Sequence, residues 1–136
     1  MKSRDREKTM NFEIHFYEGV LKRSPKFKEA MIALADLYTS NGEYDKGLNI
    51  DEKLSQILPD DPVILYNLAC SYSLINDLDK AYRTIKKAVS RGYDDILHLN
   101  RDSDLDNLRK DLRFRRYLTR LLKKSGHRQP ELFYEI

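Results

Sequence analysis

Leu34-Ala35-Asp36-Leu37-Tyr38 returns thirty-four residues later as Leu68-Ala69-Cys70-Ser71-Tyr72. The echo continues outward, pairing Asp45-Lys46 with Asp79-Lys80, Lys53 with Lys87, and Asp60-Asp61 with Asp94-Asp95. Residues 28–61 and 62–95 share eight identities, where ordinary residue usage gives about two by chance. A fixed stride of this length marks a repeated supersecondary unit. Leu34 and Tyr38, like Leu68 and Tyr72, fall on one face at helical spacing. Small residues at Ala35, Gly47, Ala69 and Ala81 allow two helices to approach closely.

These residues resemble the tetratricopeptide repeat, a helix–turn–helix unit. Its pattern is a bulky residue, Leu-small-x-x-Tyr, then Ala-x-x-x-bulky, then Pro. The first copy reads Met31, Leu34-Ala35, Tyr38, Gly47, Asp51 and Pro59; the second reads Leu65, Leu68-Ala69, Tyr72, Ala81 and Ile85. Two positions depart from it. Asp51 stands where a bulky apolar residue is usual, which predicts a looser or re-registered joint. Tyr93 replaces the second Pro. The resemblance implies an all-α fold: a short right-handed solenoid of antiparallel helix pairs with helical caps.

The expected organisation is an irregular, disordered stretch over 1–9 and one repeat domain over 10–125, followed by a tail over 126–136. Within the domain, an N-terminal capping helix occupies 10–24, the repeats 28–61 and 62–95, and a C-terminal cap 96–125. The charged start has no apolar pattern. Phe12, Ile14, Phe16, Tyr17, Val20 and Leu21 then form an apolar-rich helix that stops near Ser24-Pro25. Pro59-Asp60-Asp61-Pro62 separates the repeats, with Asp61 as N-cap and Pro62 in the first helical turn. Asp77 is the expected cap of the last repeat helix, and Gly92 its stop.

After Asp95 the stride fails. The run Asp102-Ser103-Asp104-Leu105-Asp106-Asn107-Leu108-Arg109-Lys110-Asp111-Leu112-Arg113-Phe114 resembles the closing segment of bacterial tetratricopeptide arrays, with Leu112 in place of a usual Pro. It predicts a short turn capped by Asp102 or Ser103, then a helix capped by Asp111. Phe114, Tyr117, Leu118, Leu121 and Leu122 make its sealing stripe. Two complete units are fewer than the three or so that such folds need, so the terminal helices must supply burial or the chain must self-associate.

The chain has 136 residues, 25 Lys plus Arg against 22 Asp plus Glu, and a net charge of +3. No apolar run reaches the roughly 20 residues of a membrane span, so membrane insertion is not expected. The basic start lacks the apolar core of a signal peptide. A single cysteine, Cys70, excludes an internal disulfide framework, and a cytoplasmic, reducing location is the default reading.

No catalytic constellation is visible. Gly42, Gly47 and Gly92 are scattered, so there is no phosphate loop. His15, His98 and His127 have no Cys or His at ligand spacing, so no metal or other cofactor is expected. The repeated Asp pairs read as helix caps, not as an acid–base pair.

The function the resemblance implies is binding of a protein or peptide along a concave wall of first helices. That wall would show Glu29, Ile32, Asp36, Thr39 and Ser40 from the first unit. From the second it would show Val63, Tyr66, Asn67, Cys70, Ser73 and Leu74. Asn67 matches an Asn that hydrogen-bonds bound peptide backbones in the family. Ile32 and Asp36 stand where the chaperone-tail-binding subgroup has a basic residue and an Asn. This argues against capture of a C-terminal carboxylate and for an extended, partly apolar segment.

The alternative lies at the other end of the chain. Between Arg109 and Arg128 nine basic residues face Asp111 alone. Arg113, Arg116, Arg120 and Lys124 form a basic patch that would suit nucleic acid or an acidic protein surface. The aromatic residues among them, Phe114 and Tyr117, fit core packing better than base stacking, which disfavours nucleic acid.

Overall fold

The computed structural model describes residues 2–126. Every regular element among them is helical: α1 (Lys2–Arg23), α2 (Lys28–Ser40), α3 (Tyr44–Ile57), α4 (Pro62–Leu74), α5 (Leu78–Ser90), α6 (Ile96–Arg101) and α7 (Leu112–Lys124). Two single 3₁₀ turns, Ser103–Leu105 and Leu108–Lys110, lie between α6 and α7. The helices pack as sequential antiparallel pairs, as in a tetratricopeptide-like repeat.

The stride is written into the helix boundaries. Both bounds of α4 lie thirty-four residues after those of α2, and α5 starts thirty-four after α3. Leu34 and Leu68 hold the same place in their helices and are both buried. The tight turns also match, since Gly42 and its counterpart Asn76 both have positive φ, 79° and 67°. Glycine reaches this region without strain, and Asn is among the few other residues that tolerate it.

The caps are those that the side chains dictate. Asp61 accepts the Val63 and Ile64 amides at 2.9 and 3.2 Å, ahead of Pro62. Asp77 caps α5, Asp95 caps α6, Asp102 caps the first 3₁₀ turn and Asp111 caps α7. Each satisfies an amide left without an intrahelical acceptor.

Hydrophobic burial falls into two clusters. The first gathers Ile14, Met31, Leu34, Ala35, Tyr38, Ile50, Leu54 and Ile64. Here α1 covers α2 through a stripe of Met10, Ile14, Tyr17 and Leu21, while Phe12 and Phe16 stay exposed. The second joins α4 and α5 to the closing segment through Ala81, Ile85, Leu99, Leu105, Leu108, Phe114, Leu118 and Leu122. All eight of these side chains are fully buried. The missing repeat burial is thus supplied from both ends of the solenoid.

One expectation needs correction. Residues 2–9 are not irregular but continue α1, with residues 3–9 exposed. The stretch holds neither Gly nor Pro and is rich in Lys, Arg and Glu, all good helix formers. Extending an existing helix avoids the cost of a new nucleus, and Asp5 lies in the favourable first turn. The tail expected over 126–136 lies outside the described residues except for Gly126.

Candidate functional site

The antiparallel pairs bring α2 and α4 side by side, and a depression of about 460 Å³ opens between them. Ile32, Asp36 and Thr39 line it from α2, and Tyr66, Asn67 and Cys70 from α4. The closing segment folds back to add His98, Asp102 and Asp104, while the buried Asp51 and Ser71 lie at its base. A second depression shares Tyr66, Asn67 and His98 with the first. It continues past Val63 and Tyr93 to Asp94 and Asp95, so the two form one trough.

Six of the eleven expected wall residues therefore line the first depression, and Val63 joins through the second. Glu29 and Ser40 are exposed on α2 but line neither depression. Leu74 is half-buried outside them. Ser73 is a correction: it is fully buried beneath the closing segment. Its hydroxyl accepts the Leu108 amide at 3.1 Å, and its carbonyl accepts Asn107 Nδ2 at 3.0 Å. Those bonds lock the cap onto α4 and leave Ser73 nothing to offer a partner.

Asp102 is the hub of the trough. Its Oδ2 accepts the Tyr66 hydroxyl at 2.6 Å, lies 3.2 Å from His98 Nε2 and 3.8 Å from Cys70 Sγ. Its Oδ1 accepts the Asp104 amide at 3.0 Å. Tyr66 also stacks on Tyr93, with ring centroids 4.2 Å apart and nearly parallel planes. Burial and the neighbouring Cys70 and Asp102 hold the Tyr66 phenol well above its ordinary value, so it stays a donor.

At the base, Ser71 Oγ donates to Asp51 Oδ2 at 2.5 Å. Desolvation, partly offset by this bond, and the nearby Asp36 charge push the Asp51 carboxyl up to about 6. Asp104 is likewise raised by desolvation and then by Asp102 and Asp36. The departure from the repeat pattern at Asp51 is thus buried and paired.

Ligand atoms of Cys70, Asp102 and Asp104 lie within 4.8 Å of one another, a grouping that sequence spacing hides. Burial, then the Asp102 and Asp104 charges, push the Cys70 thiol well up. With no cation beside it among the described residues, the thiol is therefore held protonated, the form that does not act as a nucleophile.

The basic patch is less free than its composition implies. Arg113 pairs with Asp79 and Asp111, each at 2.7 Å, and lies over the Tyr82 ring. Arg109 turns inward and donates to the carbonyls of Leu99, Asn100 and Asp102, finishing α6. Arg116, Arg120 and Lys124 are exposed on α7.

Curated proteins from a plant and from yeasts are similar to this chain. A chloroplastic protein of Arabidopsis thaliana is 31% identical over 83 residues, which are 57% of this chain and 24% of that protein. The "Peroxisomal targeting signal receptor" of Komagataella phaffii is 29% identical over 120 residues, 85% of this chain and 20% of that protein. The chain thus spans a quarter or less of the length of these relatives. Neither organism is a bacterium, so the relatives lend the bacterial reading of the closing segment no support. No protein-family model matches the chain. Among the described residues, no helix is long and apolar enough to cross a membrane.

Proposed function

We propose that this chain is a protein–protein interaction module that holds a peptide or partner helix in the trough between α2 and α4, with no catalytic step. The observation that carries this reading is the convergence of six expected wall residues from two repeats on one open depression. Exposed apolar side chains at Ile32 and Val63 offer surface that an extended segment would cover. The printed name of one relative, a receptor for a targeting signal, is in keeping with peptide recognition.

The test is capture of partners from host extract by the wild-type chain and by Ile32→Ala with Asn67→Ala. Ile32 is exposed and Asn67 half-buried, so the fold survives both changes. Loss of the same captured bands in the double variant supports the trough; unchanged capture overturns it.

The second reading, an adaptor for nucleic acid or an acidic surface, rests on Arg116, Arg120 and Lys124. It is weakened by the two carboxylates that already neutralise Arg113. Binding that did not fall with rising salt would remove it.

A further inference from the structure

The charge of the trough is one-sided. Asp36, Asp51, Asp94, Asp95, Asp102 and Asp104 all line it. None of the described residues lining either depression is Lys or Arg. This happens in a chain whose net charge is +3, so it is not a general excess of acid. The basic residues lie elsewhere, with six on α1 and six on α7.

A second observation concerns the base of the trough. Asp51 is only 5% exposed. A buried carboxylate normally acquires a cationic partner, because desolvation is costly and Coulomb attraction offsets it only at close range. Asp51 has only the Ser71 hydroxyl on Oδ2, and its other oxygen has no hydrogen-bond partner among the described residues. That oxygen is not sealed from solvent, and the residue lines the open depression. Asp36, on the facing rim, is exposed and forms no ion pair among the described residues. The pattern is a polar, anionic channel with an unmet need for positive charge. It is flanked by apolar surface at Ile32 and Val63 and by the Tyr66–Tyr93 stack.

We propose that the occupant of the trough is an extended peptide segment of a partner protein that carries both basic (Lys or Arg) and apolar residues. The cationic groups face Asp36, Asp51 and Asp104, and the apolar ones cover Ile32 and Val63. Ile32 and Asp36 lie one helical turn apart on α2, so apolar and acidic surface succeed one another along the trough, and a segment carrying both kinds of side chain meets both. Asn67 stands between the two depressions with an amide able to bond the peptide backbone. Tyr93, with its acidic neighbours Asp94 and Asp95, adds an aromatic face for a guanidinium or ammonium group. This inference rests on the trough being the binding site.

The probe is a fluorescein-labelled nine-residue peptide with blocked ends, alternating Arg and Leu, compared with Gln-for-Arg and Glu-for-Arg versions. Anisotropy is read with the wild-type chain and with the Asp36→Asn, Asp104→Asn double variant, at low and high salt. A random peptide library is selected on the wild-type chain, and the enriched peptides are tested on the Ile32→Ala, Asn67→Ala variant. The expected results are that the Arg peptide binds, that the double variant weakens it by about fivefold or more, that salt weakens it too, and that selected peptides are rich in Lys and Arg. Equal binding by wild type and double variant overturns the proposal. So does a library that enriches peptides lost in Ile32→Ala, Asn67→Ala but without basic residues; there the trough reading stands and only its charge preference falls. Enriched peptides indifferent to Ile32→Ala, Asn67→Ala remove the trough reading itself, and this inference with it. Sedimentation at several concentrations covers another occupant. If the chain associates with itself and Asp36→Asn, Asp104→Asn makes it monomeric, the trough holds the basic surface of a second copy and the peptide proposal fails.

Discussion

The two repeats meet their C-terminal neighbours through joints of opposite character. At the first joint, between α3 and α4, position 51 holds a buried Asp bonded to Ser71. At the second, between α5 and the closing segment, the matching position holds Ile85, fully buried among Leu105, Leu108, Phe114, Leu118 and Leu122. The same stride and the same helix pairing thus support a polar joint in one place and an apolar one in the other. The difference shows where stability is made and where it is given up. The apolar joint closes the solenoid against water. The polar joint lies beneath the trough and keeps a carboxylate in reach of whatever enters it.

The sharpest way to break this comparison is to attack the apolar joint. Phe114→Ala removes the largest fully buried side chain and is expected to cost about 3 to 5 kcal/mol, measured by chemical denaturation. Deleting 111–124 should abolish cooperative unfolding; a monomeric, cooperative melt of that deletion would show that the repeats need no closing helix.

The polar joint should respond with the opposite sign. The folded Asp51 carboxyl titrates at about 6 against an ordinary 3.8, so between those values the folded state holds more protons than the unfolded one. Stability contributed by this group therefore falls as pH rises from about 4 to 6, and stays lost above. Asp51→Asn should raise stability at pH 7.5 by about 2 kcal/mol and flatten this part of the pH profile. A variant less stable than wild type at pH 7.5, with the slope intact, would mean that the charge is well compensated.

A smaller asymmetry lies within the hairpins. A Cβ at Gly47 would come 2.6 Å from Thr39 Oγ1 and 3.3 Å from the Ala35 carbonyl. At the matching place in the second repeat Ala81 is buried, opposite Ser73 rather than Thr39. Gly47→Ala should therefore destabilise by about 1 kcal/mol despite alanine's better helix propensity. Adding Thr39→Ala, which removes that hydroxyl, should recover part of the loss, and full additivity in the double-mutant cycle would refute the contact.

The least effect is expected where the joints agree. Tyr38 donates to Glu18 and Tyr72 to Glu52, each pair twenty residues apart and the two pairs one stride apart. Tyr38→Phe and Tyr72→Phe should each cost about 1 kcal/mol. Markedly unequal losses in thermal melts would show that the stride is not energetically faithful.

Much of the architecture was legible in the chain because helix pairs are local. The echo of Leu34-Ala35 in Leu68-Ala69 located the hairpins, and Asp61, Asp77 and Asp111 announced their own caps. The extra turns of α1 were missed because an all-round polar helix has no periodic signature. Six residues that line the trough, Ile32, Asp36, Thr39, Tyr66, Asn67 and Cys70, were named beforehand because the tetratricopeptide resemblance implies a wall of first helices there. His98, Asp102 and Asp104 were not, because they come from outside the stride. The Asp-x-Asp spacing of Asp102 and Asp104 was visible, but Asp102 read as a possible cap and Asp104 only as part of the closing-segment pattern.

The sequence by itself determined the helix pairs, their stride and their caps, since each depends on neighbours within one or two turns. Tertiary structure alone decided that Ser73 would be covered, that Arg109 would turn inward and Arg113 would pair with the distant Asp79 at the surface, and that six carboxylates from three parts of the chain would share one trough. The physical reason is range. Helix formation and capping are settled over a few residues, whereas burial and charge pairing depend on which distant segment folds back, and a repeat pattern stops carrying that information where the repeat itself stops.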